Sequence, residues 1–394
     1  MSRSDEAPDR LTVPGRRRSE LGLEGPPTLD TWQDPVVNRW TFRHFGEIVP
    51  TAVVSRVPEA ERVAPAGLGG AAEVPRLLER LEATCTDALL VQRGDEVLAE
   101  WYAPGFGPEQ PHLLMSVSKS LLAIVFGSIV DDGLVDPAAE IGDCVPELAG
   151  SAFGDVTVQQ ALDMLVSVEY SEDYADPASE VQAHDRAAGF RQPSGEGPRD
   201  VYEFLVGLRP RGPHGEVFQY CSAVTDALAW VAESATGQRY AELLSDRLWS
   251  RLGCRHDARI GVDRGGFAFA NGGVECTARD LARVGLLMLG GGEIEERRVV
   301  SEAWVAQTMA GGSPEHTARS PKRAVFPSFT YRNQWWSLGD GSGVVHAVGI
   351  HGQYLWLDPA SDTVIVKFSS APEAVDYENT RVTAELFADL IAAV

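Results

Sequence analysis

Residues 112–126 read HLLMSVSKSLLAIVF, and Lys119 is their only formal charge. Ser116 lies three positions upstream, so on a helix the hydroxyl and the amine share a face and can meet. Of the 34 basic residues, 31 are arginine and only Lys119, Lys322 and Lys367 are lysine. With so few lysines, roughly 0.2 accidental S-x-x-K matches are expected in a chain of this size. The apolar neighbours Leu121, Leu122, Ile124, Val125, Phe126, Ile129 and Val130 predict a helix buried on most sides. Burial penalises an ammonium, and moving a lysine from ~10.4 to ~7 costs roughly 4–5 kcal/mol. A salt bridge would be made by arginine, which this chain prefers, but arginine cannot give up its proton and a general base must. The pair therefore reads as nucleophile (Ser116) and base (Lys119). Near a helix start, the Ser116 N–H would point at a developing oxyanion with the helix dipole assisting.

Acyl transfer also needs a proton for the leaving group. GEVFQYCSAVTDALAW places Tyr220 just before a helix that Ser222 is expected to cap and Gly237 to end. Alone, Tyr220 would be read as a core aromatic with a satisfied hydroxyl. After S-x-x-K, the order Y-x-S makes it a proton shuttle.

The elements that must position these groups are legible in outline. DALLVQRGDEVLAEWY (87–102) predicts a hairpin turning at Arg93-Gly94-Asp95, and VTVQQALDMLVS and CTARDLARVGLLMLGGG predict helices. GVVHAVGIHGQYLWLD and DTVIVKFSS predict paired strands around Asp358-Pro359-Ala360-Ser361, and the chain closes on the helix NTRVTAELFADLIAAV. Strands near both ends with helices between imply an α/β (α+β) protein whose sheet is assembled from both ends of the chain. The expected organisation is a mobile arm over 1–25, an α/β lobe from 26–134 and 246–394, and a mainly helical lobe over 135–245, with the site in the cleft between lobes.

These residues resemble the penicillin-recognising serine hydrolases of the class C β-lactamase and esterase branch, where S-x-x-K, Y-x-[NS] and K-[ST]-G line one cleft. Within that branch the chain is similar to the 6-aminohexanoate-dimer (nylon oligomer) hydrolases. The segments that carry the likeness are HLLMSVSKSL, EDYADPASEVQAHDRAAGF, FQYCSAVTDALAW, FANGGVECTARDLARVG, QWW and GIHGQYLWLDP. The resemblance implies a β-lactamase-like fold, an antiparallel sheet flanked by helices with an inserted all-helical lobe. It implies Ser116 as nucleophile, Lys119 as base, Tyr220 as proton shuttle and the Ile350 N–H as second oxyanion donor. It further implies that Tyr174 contacts the scissile amide nitrogen, Asp185 pairs with the substrate ammonium, Asn271 lines the acyl side, and Phe190 and Trp336 complete the substrate pocket. The substrate implied is a small amine-terminated amide or ester.

Two positions depart from the pattern. Val348-Gly349-Ile350, or His351-Gly352-Gln353 in another register, stands where K-[ST]-G belongs, so the lysine that would hold a β-lactam carboxylate is missing. Phe190 stands where the nylon-oligomer enzymes carry tryptophan.

Composition narrows the classes further. A net charge of −23 argues against nucleic acid, which needs a basic face. No run of 18 apolar residues predicts a membrane span. Five scattered cysteines without C-x-x-C point to free thiols in a reducing cytoplasm. The eight histidines show no metal spacing, so no metal and no cofactor are assigned, and a homodimer is left open. GLGGAA (67–72) is preceded by Pro-Ala rather than a strand, which weakens a dinucleotide reading, and G-x-S-x-G is absent. The rivals to an amide hydrolase are a generic carboxylesterase of the same fold and a non-catalytic ligand-binding protein of that fold.

Overall fold

The computed structural model describes residues 27–35, 37–57, 66–193, 195 and 197–394; the arm expected over 1–25 lies outside them. The strands are β1 (Thr51–Val54), β2 (Thr86–Arg93), β3 (Glu96–Tyr102), β4 (His112–Leu113), β5 (Ala258–Gly261), β6 (Val274–Cys276) and β7 (Glu293–Ile294). They continue with β8 (Arg297–Arg298), β9 (Thr330–Arg332), β10 (Trp335–Ser337), β11 (Val345–Gly349), β12 (Gln353–Asp358) and β13 (Thr363–Ser369). Five helices bear on the site: α1 (Val117–Asp131), α2 (Glu180–Ala187), α3 (Ser222–Thr236), α4 (Ala278–Leu289) and α5 (Tyr377–Ala393).

The main sheet is antiparallel, in the order β3-β2-β13-β12-β11-β10-β9. β2 and β3 form the expected hairpin, with Gly94 at φ +51° in its turn. β2 then pairs with β13, Leu89 opposite Lys367 and Val91 opposite Ile365, which joins the two ends of the chain. Side chains alternate across a strand. Along β12, Tyr354 and Trp356 meet Phe387 of α5, whereas Leu357 faces α4 on the other side. Helices thus cover both faces, and the unbroken apolar run Ala88–Val91 is buried because neither face of β2 meets water. At Gly285 of α4 a Cβ would lie 2.6 Å from Val364 Cγ1, so the helix can seat on the sheet only with glycine there.

GVVHAVGIHGQYLWLD is two strands, not one. Ile350–Gly352 forms a 3-10 turn with His351 and Gly352 at φ +62° and +90°, and β11 folds back on β12. The helix expected over VTVQQALDMLVS is also shorter. Thr157 and Gln160 make a capping box, but only Val158–Leu162 is helical before Met164 turns at φ +55°. Between β4 and β5 no named strand occurs among the described residues; α2, Val201–Gly207, α3 and Tyr240–Arg247 occupy that span. Among the described residues no helix is long and apolar enough to cross a membrane.

Candidate active site

A second sheet, in the order β1-β5-β6-β4, anchors the approach to α1. His112 pairs with Cys276, and the Leu114 N–H donates to Val274 O at 2.8 Å. Met115 then adopts φ +49°, a left-handed conformation that side chains disfavour, and the sharp bend delivers Ser116 as N-cap of α1. The end of β11 closes on this bend. A Cβ on Gly349 would sit 2.5 Å from Leu114 O, 2.9 Å from Met115 Cβ and 3.0 Å from Ser116 N. Glycine at 349 therefore lets the next residue, Ile350, come alongside Ser116, and both line the same cleft. Gly349→Ala is expected to lower kcat by about 10²- to 10³-fold, the usual loss when one oxyanion donor is displaced, with little change in KM. Steady-state kinetics beside a melting curve would check this; full kcat in a folded variant would show that the close approach is dispensable.

Lys119 is 1 % exposed. Its Nζ lies 2.8 Å from Ser116 Oγ and donates to Asn271 O at 2.7 Å. Burial pulls the amine down from its ordinary 10.5 to about 8, while the nearby charges of Glu172 and Asp226 resist the fall. Such an amine is partly neutral near neutral pH and can take a proton from the hydroxyl it touches. Asn271 is held in turn by buried Asp226 of α3, which accepts from its backbone N–H at 3.0 Å and its side-chain Nδ2 at 2.7 Å. The carboxamide expected to line the acyl side is thus committed to Asp226, although Asn271 does border the pocket. His184 Nε2 stands 3.0 Å from the same carboxylate.

Tyr220 borders the same cleft as Ser116, and burial followed by the Glu172 charge holds its phenol well above the ordinary range, with the Ser116 hydroxyl opposing the rise. Its ring stacks on Trp336 with centroids 5.4 Å apart. Ser222 does not cap α3 with its own side chain. Cys221 is the N-cap residue, and Glu172 does the capping from another segment: it accepts from the Ser222 N–H at 3.1 Å and from Ser222 Oγ. A full carboxylate is a stronger acceptor than a hydroxyl for the exposed N–H groups at a helix start. Gly237, at φ +69°, ends α3 as expected. Glu172 also accepts from Tyr174 OH at 2.7 Å, so the ring facing the cleft is tied to the helix that carries Asp226.

Ser116, Tyr174 and Ile350 border two spaces. One is a cleft of about 520 Å³ that also includes Tyr220 and Trp336. The other is a small pocket lined by Asp185, Phe190 and Asn271. Asp185 sits on α2 and is buried, which raises its carboxyl, and Arg191 Nε lies 3.3 Å from its Oδ2 and opposes that rise. Phe190 packs edge-on against Phe269 at 4.4 Å and Phe45 at 5.2 Å, and its carbonyl accepts from Trp32 Nε1 at 2.8 Å. It is a member of the aromatic core that also walls the pocket. All nine residues singled out in the sequence lie at these two spaces or, for Lys119, in contact with Ser116. Among the described residues no group of histidine, cysteine, aspartate and glutamate could hold a metal ion.

A serine hydroxyl, a depressed amine and a raised phenol at one cleft can carry acyl transfer. A family model named Beta-lactamase matches residues 74–389. The chain belongs to the beta-lactamase family. It is 54 % identical over 351 residues, 89 % of each chain, to the 6-aminohexanoate-dimer hydrolase of Paenarthrobacter ureafaciens. The solved structure named "Putative 6-aminohexanoate-dimer hydrolase from Bacillus anthracis" superposes with a TM-score of 0.84 at 28 % identity, over 92 % of this chain and 96 % of that one. A family VIII carboxylesterase, at 14 % identity and a TM-score of 0.60 over 83 % of this chain and 100 % of that one, shares the fold.

Sequence reasoning missed four residues at this beta-lactamase-family site: Gly349, Glu172, Asp226 and Arg191. For Asp226 a signal was present, since a lone acid within SAVTDALAW breaks an apolar helix just as Lys119 breaks its own. Glu172 and Arg191 act across chain-distant contacts and carry no local mark.

Proposed function

We propose that the protein is a serine amidohydrolase that cleaves the amide bond of the 6-aminohexanoate linear dimer and related short oligomers through an acyl-enzyme, with side activity on short-chain carboxyl esters. The 2.8 Å contact between Lys119 Nζ and Ser116 Oγ at the floor of the cleft carries this reading, and the 54 % identity to a 6-aminohexanoate-dimer hydrolase directs it to that substrate.

In the mechanism, neutral Lys119 takes the Ser116 proton as Oγ attacks the amide carbonyl. The tetrahedral oxyanion is held by the N–H groups of Ser116 and Ile350. Tyr220 gives its proton to the departing amine nitrogen and recovers one from Lys119, the C–N bond breaks, and the acyl group stays on Ser116. Water then attacks the ester with the same groups reversed, releasing the acid and restoring the serine. On this reading Asp185 receives the ammonium of the acyl portion and Tyr174 meets the scissile nitrogen. The same reading divides the chain into an α/β lobe of 26–134 with 246–394 and a helical lobe of 135–245. It places the enzyme in a reducing cytoplasm, in keeping with five free cysteines.

The Asp185–Arg191 ion pair favours a second reading, a carboxylesterase that needs no ammonium partner. Asp185→Asn separates the two. For an amide hydrolase it is expected to lower kcat/KM on the dimer about 10- to 100-fold, the loss of a buried charge-assisted contact, and on p-nitrophenyl butyrate by no more than about 3-fold. Equal losses on both substrates would remove Asp185 from an ammonium pocket and favour the esterase.

A further inference from the structure

We propose that Lys322 forms a carboxylate-binding subsite at the leaving-group end of the cleft, so that the preferred amides carry an acid on their amine portion. The subsite deepens the hydrolase reading and rests on it for the direction of the substrate, but not for the binding of the anion.

The three lysines of this chain differ in what their amines do. Lys119 contacts Ser116 Oγ and Asn271 O, and Lys367 donates to Thr84 O and Gly352 O. Lys322, in the 3-10 turn Pro321–Ala324, has no hydrogen-bond acceptor for its Nζ among the described residues, and no carboxylate of theirs lies within 4 Å of it. Its Nζ stands 3.4 Å from the centre of the Trp336 ring, and its side chain borders the 520 Å³ cleft together with Ser116 and Tyr220. A ring face can satisfy one side of an ammonium, but three N–H donors need oxygen acceptors. Burial lowers the amine from 10.5 to about 7, and a carboxylate in contact would favour its charged form again. The buried neighbour His346 has unpartnered ring nitrogens and supplies no negative charge. Of the three acids lining the cleft, Glu172 is engaged by Tyr174 and Ser222, Asp376 caps α5, and exposed Glu373 makes no ion pair with Lys322.

The placement gives the cleft a direction. Asp185 lines the small pocket and Lys322 the large cleft, and Ser116 borders both. Tyr220, which would protonate the departing amine, stacks on the same Trp336 ring that Lys322 covers. An amide with an ammonium on its acyl portion and a carboxylate on its amine portion would meet an opposite charge at each end.

Two measurements test the subsite. In the first, 6-acetamidohexanoate and its carboxamide are titrated calorimetrically into full-length Ser116→Ala and into Ser116→Ala/Lys322→Met, so that no bond is cleaved. The acid is expected to bind at least about tenfold more weakly once Lys322 is lost, a charge-assisted hydrogen bond's worth, while the carboxamide is unaffected. Equal affinity of the acid for both proteins, with both folded by melting curve, overturns the proposal. In the second, kcat/KM on the dimer is divided by kcat/KM on the dimer's carboxamide. The ratio should fall about tenfold in Lys322→Met and recover in part in Lys322→Arg; a ratio that does not move overturns the proposal. If wild type cleaves neither compound, the amide-hydrolase reading fails while the titration still decides the carboxylate site.

Discussion

Ser116→Ala is expected to lower turnover of the dimer by roughly 10⁴- to 10⁶-fold and to abolish labelling by a fluorophosphonate, because no other hydroxyl replaces the covalent step. Ser116 heads α1, shares the cleft with Tyr220 and touches the Lys119 amine, so in the proposed mechanism the three groups act as a unit and removing one disables the rest. Intact-mass spectrometry gives the readout: wild type gains one phosphonyl adduct, mapped by peptide digestion to Ser116, and the variant gains none. Persistent turnover in Ser116→Ala, or an adduct elsewhere with Ser116 unlabelled, would rule out the acyl-enzyme. A ligand-binding protein of this fold would give neither turnover nor adduct in the wild type.

Lys119→Arg keeps the charge and is expected to cost about 10³-fold or more in kcat/KM, since a guanidinium stays protonated at every working pH. For the wild type, kcat/KM should climb as pH rises and level off above about 8, where the buried amine is neutral. The plateau should vanish in the variant. Stability follows the same group. Between about 8 and 10.5 the unfolded chain holds a proton at Lys119 that the folded chain has released, so this residue's contribution rises with pH across that window. Below about 8 both states are charged, and folding bears the full cost of burying the ammonium. Denaturant melts of wild type and Lys119→Met at pH 7 and pH 10 would register this as a stability difference that narrows at the higher pH.

Much of the proposed catalytic pair was readable in one turn of helix. Ser116 and Lys119 are neighbours because three residues make most of a turn, and α1 is buried because apolar residues cover its circumference; both follow from local spacing. The hairpin at Gly94 and the end of α3 at Gly237 were legible for the same reason, since each depends on one residue's backbone freedom. Where a partner comes from far along the chain, local pattern misleads. Ser222 has the residue type of an N-cap, yet Glu172 takes the exposed N–H because folding brings a stronger acceptor there. The family resemblance gives Asp185 to a substrate ammonium, yet Arg191 already stands beside it. GIHGQY reads as a strand, yet left-handed His351 and Gly352 fold it back.

The amino-acid sequence by itself determined the pairing of the Ser116 hydroxyl with the Lys119 amine, the phenol-bearing loop before α3, and a sheet assembled from both ends of the chain, because these rest on short-range periodicity and on the chemistry of single residue types. Only the tertiary structure decided that Gly349 closes on Ser116, that Asp226 grips Asn271 and through it the Lys119 amine, and that Lys322 borders the cleft with no acceptor for its amine among the described residues. Those facts depend on which distant segments share a few ångströms of space, and burial and unpaired charge are properties of that sharing rather than of any residue alone.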